Sequence, residues 1–201
     1  MKPSVHARPP ACCAGTALVV ALLVLLAGWA PRLAAEALDG TLEVTSAYVT
    51  VDGGVFQLNV HTLYPISDEV RGALKDGETL TFDLQAIVDK RRRLWFDATI
   101  VDVTRHFELA WHAVSERYIV RDVDGGAPET FTTLEQALER VGTVANWPVV
   151  VESQLQADAA YEVRIRAHVR RGKMPDALRS VIFWSDGWHR TSEWYSWSLP
   201  R

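Results

Sequence analysis

The chain has 201 residues, 48% of them hydrophobic, and a formal net charge of −4 at pH 7, which is typical of one folded domain with its own core. An acidic balance argues against a nucleic-acid partner, because phosphates attract a basic surface. Both cysteines, Cys12 and Cys13, fall in an N-terminal apolar run, so the remainder has no disulfide, thiol nucleophile or cysteine metal site.

The first 37 residues have the three-part layout of a secretory signal peptide. Lys2 and Arg8 precede the uncharged run "ACCAGTALVVALLVLLAGWA", and small-residue cleavage registers end at Ala35 and Ala37. An uncleaved membrane anchor is the alternative, because about 20 apolar residues can span a bilayer. Either way we expect an exported protein, periplasmic or anchored in the inner membrane and facing the periplasm. Without residues 1–37 the chain keeps 18 basic and 24 acidic residues, a net charge of −6.

After residue 40, apolar and polar residues alternate with the period of half-buried strands. The pattern occurs in "VFQLNVHT", "TLTFDLQAIV", "VTRHFELAWHA", "ERYIVRDV" and "YEVRIRAHVR". In "LEVTSAYVTV" the phase changes near Ser46, which predicts a bulge. The two "DGG" segments, at 52–54 and 124–126, predict tight turns because glycine accepts positive φ without a steric penalty.

Two short helices interrupt these strands. Ser67 is the expected N-cap in "SDEVRGALKDG", and Thr133, or Thr132 in a shifted register, is the expected N-cap in "TTLEQALERVG". The order of elements predicts one mostly β domain over residues 38–201, an antiparallel β-sandwich with two short connecting helices. An immunoglobulin-like topology is one form of this sandwich, and an open barrel is the alternative.

Several segments together resemble a proteobacterial domain-of-unknown-function family, number 4390. They are "YPISDEVRGALKDGETLTFDL", "DKRRRLWFD", "WHAVSERYIVRD", "FTTLEQAL", "YEVRIRAHV" and "DGWHRTSEWYSW", and the likeness extends from about Leu42 to Leu199. The resemblance implies an exported protein with an N-terminal signal segment and a link to a membrane sensor kinase. It brings no catalytic or binding residue with it.

The sequence predicts no catalytic residue, no cofactor and no metal. A Gly-x-Ser-x-Gly elbow does not occur, and a hydrolase would have to rely on carboxylates dispersed along the chain. His106, Glu108 and His112 share one strand face, but the two histidines lie about 20 Å apart on an extended strand, too far for one ion. The segment "RDVDGGAPE" is more typical of a hairpin turn than of a calcium loop.

Two basic segments suggest a binding surface. Arg91, Arg92 and Arg93 precede the aromatic "LWF", and Arg164 and Arg166 share the polar face of one strand. Side by side they would form a positive patch suited to lipid headgroups or an acidic partner. The alternative is a solvated face, in which carboxylates on neighbouring strands pair with the arginines.

The C-terminal "SDGWHRTSEWYSWSLP" is rich in aromatic residues. As a strand it would direct Tyr195, Trp197 and Leu199 into the core. Trp188 and Trp194 have the opposite parity, and the sequence leaves open whether they stack a ligand or cover a sheet edge.

These observations favour a non-catalytic binding or accessory module of the cell envelope, with an envelope or inner-membrane protein as its partner. Membrane association would involve only the N-terminal segment, if that segment is uncleaved. The alternative is a small-ligand or glycan-binding protein that uses exposed tryptophans, and a hydrolase is a third possibility. The expected binding surface consists of Trp188, Trp194, Arg91, Arg92, Arg93, Arg164 and Arg166.

Overall fold

The computed structural model describes residues 40–92, 96–172 and 189–199. The predicted signal segment, Arg93 and Trp188 lie outside the described residues. All described residues belong to one compact unit, Glu36–Arg201. Within these three ranges, no helix is long and apolar enough to cross a membrane.

The described strands form two antiparallel sheets, and neither sheet closes on itself. The smaller sheet contains, in spatial order, β1 (Glu43–Asp52), β2 (Val55–Leu63) and β7 (Thr143–Val151). The larger sheet contains β10 (Tyr195–Ser198), β8 (Tyr161–Arg171), β3 (Thr79–Lys90), β4 (Ala98–His112), β5 (Arg117–Asp122) and β6 (Glu129–Phe131), and β9 (Arg190–Thr191) also pairs with β8. The prediction of a mostly antiparallel β protein with two short helices is confirmed.

Both sheets contribute to one buried core. Leu58 and Val60 of the smaller sheet belong to the same cluster as Phe82 and Phe107 of the larger sheet, and all four side chains are almost completely buried. Tyr64 packs edge-on against Phe82, with 4.8 Å between the ring centres. Each large apolar side chain that is removed from water contributes roughly 1.5–3 kcal/mol, so this cluster is the main source of stability.

The two helices begin at the predicted N-caps. Helix α1 (Asp68–Lys75) is capped by Ser67, whose hydroxyl accepts a hydrogen bond from the Val70 N–H at 3.3 Å. Helix α2 (Leu134–Gly142) is capped by Thr133, whose hydroxyl accepts from the Gln136 N–H at 3.3 Å. The structure therefore selects Thr133 over Thr132. Their apolar stripes face the core, where Val70, Leu74, Ala137 and Val141 are buried.

The turn and bulge predictions are also confirmed. Gly53 and Gly54 connect β1 to β2 with φ values of 56° and 76°, the backbone that a two-residue hairpin requires. A register shift between Val44 and Ser46 marks the bulge in β1. Gly125 and Gly126, both with positive φ, lie in the connection from β5 to β6.

One core prediction is wrong. Tyr195 pairs with Ile165 and so lies on the core-facing side of the sheet, yet 37% of its surface is exposed. The physical reason is position: β10 is a four-residue strand at the margin of the sheet, where a side chain has fewer neighbours to cover it. Leu199 is buried as predicted, and Trp197 is partly buried against the core.

Candidate binding face on the larger sheet

The candidate site lies on the outer face of the larger sheet, the side directed away from the core. Strict alternation creates this face, because inward residues of β8 such as Val163 and Ile165 are fully buried and their neighbours must point outward. Four arginines line this face, one just after the end of β3 and three on β8, and we call them the arginine ladder: Arg91, Arg164, Arg166 and Arg170.

Three arginines of the ladder are paired with carboxylates. Arg164 forms an ion pair with Asp89 at 2.6 Å, and Arg91 forms one with Glu162 at 2.6 Å. Arg170 donates a hydrogen bond to Asp83 at 3.0 Å. These contacts match the alternative in which neighbouring strands neutralise the arginines. The ladder is therefore not a strongly positive patch.

Arg166 has different surroundings. Its guanidinium donates only one hydrogen bond among the contacts of the described residues, from Nη2 to the Gln85 side-chain oxygen at 3.3 Å. Its Nε is buried and has no hydrogen-bond partner in the described part of the chain. The Gln85 amide is in turn committed to Asp102, to which it donates at 2.8 Å. No carboxylate of the described residues lies within ion-pair distance of Arg166.

Trp194 lies against two arginines of the ladder. The guanidinium carbons of Arg164 and Arg166 are 4.9 Å and 4.3 Å from the centre of its ring, which is the range of cation–π contacts. Trp194 immediately precedes β10, and Ser196 on that strand lies opposite Arg164. The structure thus brings together three residues of the predicted surface, and we call Arg164, Arg166 and Trp194 the Arg–Trp cluster.

Arg91 and Arg92, the other described residues of the predicted surface, lie outside the Arg–Trp cluster. Arg91 follows the end of β3 and belongs to the ladder, but the cation–π contacts to Trp194 within the described residues come from Arg164 and Arg166. Arg92 is exposed in the β3–β4 connection, where its backbone N–H donates to Asp97 at 3.0 Å. Phe96 in the same connection is 94% exposed.

Two histidines and a carboxylate, Asp83, lie near Arg170 at one end of the ladder. His106 and Arg170 both hydrogen-bond to Asp83. Although burial opposes it, these two hydrogen bonds lower the pKa of Asp83. His168 lies opposite Asp83 on β8; burial and then the nearby Arg166 charge lower its pKa. No group of three His, Cys, Asp or Glu residues in the described ranges could hold a metal ion.

Sequence reasoning missed a second polar cluster, on the inner side of β4. Arg105 lies opposite the buried Leu84 and donates two hydrogen bonds to one oxygen of Asp122, at 3.1 Å and 2.6 Å. The pair lines a cleft of about 250 Å³, together with Asp124 and Trp147. Asp122 occupies a core-facing strand position and is 8% exposed. The alternation of β5 indicated its direction, but only the fold supplies its partner.

Comparison with known proteins gives one family match. A model of the family described as "Domain of unknown function (DUF4390)" matches residues 39–198. This range includes all of the described strands. No curated protein matches the chain. No solved structure matches it either.

Proposed function

We propose that this chain, which belongs to the domain-of-unknown-function family DUF4390, is an exported, non-catalytic binding module of the cell envelope. Residues 38–201 would form a single β-sandwich domain that acts as an accessory to an envelope or inner-membrane protein. A membrane sensor kinase is the partner that the sequence resemblance suggests. The signal-type layout of residues 1–37 supports export, since such a segment directs the chain out of the cytoplasm.

The observation that carries the proposal is the Arg–Trp cluster on the outer face of the larger sheet. Trp and Arg are the residues that most often dominate binding energy at protein interfaces. Here Trp194 is half-buried and holds two guanidinium groups on its ring, so both types of anchor are already ordered. Ordering before binding lowers the entropy cost of forming a complex.

The same geometry bears on the glycan-binding alternative. A sugar ring binds by stacking its apolar face on an aromatic ring, but the Trp194 ring already supports Arg164 and Arg166. The cluster therefore offers hydrogen-bond donors and positive charge more readily than a bare aromatic platform. A protein surface with acceptor groups suits such a cluster better than a neutral sugar does.

The test is site-specific photo-cross-linking in cells of the native organism. A photoreactive residue replaces Ser196, which is exposed and lies opposite Arg164. The matched control carries the same residue at Val114, which is 93% exposed in the turn between β4 and β5. We expect one envelope protein to be cross-linked from position 196 and not from position 114.

Two results would contradict the proposal. Equal labelling of the same proteins from both positions would show that the outer face has no particular partner. A discrete adduct with a cytoplasmic protein would rule out the envelope location.

A further inference from the structure

We infer that the Arg–Trp cluster is a carboxylate-binding site, in which Arg166 pairs with an acidic side chain of the partner protein. This inference rests on the proposed function and adds the chemical class that the surface recognises. Arg166 differs from the other arginines of the ladder in its surroundings, because it contacts Trp194 and Gln85 but no carboxylate of the described residues.

The first step of the argument is the pairing pattern. Along the ladder, each of Arg91, Arg164 and Arg170 has a carboxylate within 3.0 Å. At Arg166 the neighbouring strand supplies Gln85, which lies directly opposite. Arg164 and Arg170 each reach a carboxylate that lies diagonally on β3, and at Arg166 that diagonal position is the apolar Ile87. The guanidinium of Arg166 therefore has the Gln85 amide oxygen at 3.3 Å, which carries no net charge to neutralise it.

The second step concerns the geometry of the guanidinium. The guanidinium carbon of Arg166 lies 4.3 Å from the centre of the Trp194 ring, and a cation–π contact of this kind leaves the terminal N–H groups able to donate hydrogen bonds. Nε is buried, so a ligand would reach the terminal Nη atoms. A carboxylate that accepts from these atoms would form the charge-assisted pair that arginine makes best.

The third step excludes a membrane surface as the ligand. A lipid headgroup surface is attracted by several uncompensated positive charges. On this face Asp83, Asp89 and Glu162 neutralise three arginines, and Asp102 lies just beyond Gln85. The carboxylates of this face thus balance its arginines, and Arg166 remains as the guanidinium of the ladder without a direct carboxylate contact in the described part of the chain, which suits a single acidic side chain and not an anionic bilayer.

The experiment is an NMR titration of the purified full chain in a neutral detergent, with the side-chain Nε–H signals of the arginines as the readout. The probe is a blocked hexaglutamate peptide, and a blocked hexaglutamine peptide is its neutral counterpart. We expect hexaglutamate to move the Arg166 signal and hexaglutamine to leave it unchanged. Arg166→Gln should weaken hexaglutamate binding about tenfold or more, since a hydrogen-bonded charge is lost.

Two variants serve as controls for this titration. Arg170→Gln removes the same charge from an arginine that is already paired with Asp83, so it should change the affinity less than about twofold, by ordinary screening of an exposed charge. Arg166→Lys keeps the charge but removes the planar fork, so its affinity should fall between those of the native chain and Arg166→Gln. Circular dichroism of each variant shows whether the fold is retained.

Several outcomes would overturn the inference. They are an unmoved Arg166 signal, equal losses in Arg166→Gln and Arg170→Gln, an equal response to inorganic phosphate, and a response to phosphatidylglycerol vesicles or to N-acetylglucosamine but not to hexaglutamate. Failure here is distinguishable from failure of the proposed function. The titration uses the purified chain, whereas the cross-linking reports whether any partner meets this face in the cell.

Discussion

Arg164 and Arg166 are two residues apart on one strand and share the ring of Trp194, yet they differ in their partners. Arg164 is held by Asp89, which is 4% exposed and also accepts a hydrogen bond from Thr99. Arg166 has only the oxygen of Gln85. A guanidinium stays charged at any physiological pH. Arg166 therefore keeps its positive charge with only the amide oxygen of Gln85 as its hydrogen-bond partner in the described part of the chain.

His168 provides a prediction about pH at the same scale. Burial and the Arg166 charge hold its pKa below the ordinary value of 6.5, because both disfavour the protonated ring. As the pH falls below about 6.5, the unfolded chain therefore binds a proton that the folded chain does not. This histidine should lower the free energy of unfolding in that range, until the folded ring is protonated as well.

Urea unfolding at pH 7.5 and pH 5.5 tests this expectation. His168→Gln should lose less stability between the two pH values than the native chain does. His112→Gln, a change at an exposed residue at the end of β4, should keep the native dependence. If His168→Gln and the native chain lose the same stability, His168 is not responsible for the change.

At the scale of elements, local chemistry fixes where helices and turns begin. Ser67 and Thr133 cap their helices through hydroxyl groups, and Gly53 and Gly54 supply the positive φ of the first hairpin. These features depend on residues close together in the chain, so the sequence predicts them well.

Two glycines at helical positions provide a matched prediction. Gly72 lies inside α1 with open space where a Cβ would be added, so Gly72→Ala should stabilise the protein by about 0.5–1 kcal/mol. Gly142 ends α2, and a Cβ there would lie too close to the backbone carbonyl of Thr62. Gly142→Ala should therefore destabilise the protein by roughly 1–3 kcal/mol. Urea denaturation of both variants checks the signs, and a stabilising Gly142→Ala would contradict the packing described here.

Pairing between distant strands is the part that the sequence did not predict. Strand alternation predicted the side of the sheet on which Arg164, Arg166 and Trp194 lie. Their contact, however, depends on the pairing of β10 with β8, which is about thirty residues away along the chain. Arg105 and Asp122 were missed for the same reason, because alternation gives the direction of a side chain and not its partner. Tyr195 shows the remaining limit, since alternation cannot say that a strand will lie at a sheet margin.

At the scale of the whole molecule, the two sheets have inner and outer faces with different roles. Their inner faces supply one hydrophobic core, and the outer face of the larger sheet carries an ordered array of charges. The arginine members of these pairs are partly exposed, whereas their carboxylate partners are largely buried. The regular arrangement bears on recognition because charges placed in register favour one partner orientation over others.

The most direct test of the outer face as a recognition surface compares two variants in cells. The photoreactive residue at position 196 is combined with Arg166→Gln or with Arg170→Gln, and the amount of cross-linked envelope protein is measured in each strain. We predict a strong loss of the adduct in Arg166→Gln, because its charge has no carboxylate partner within the described chain, and near-native labelling in Arg170→Gln. Equal adduct in both strains would contradict the assignment of this face.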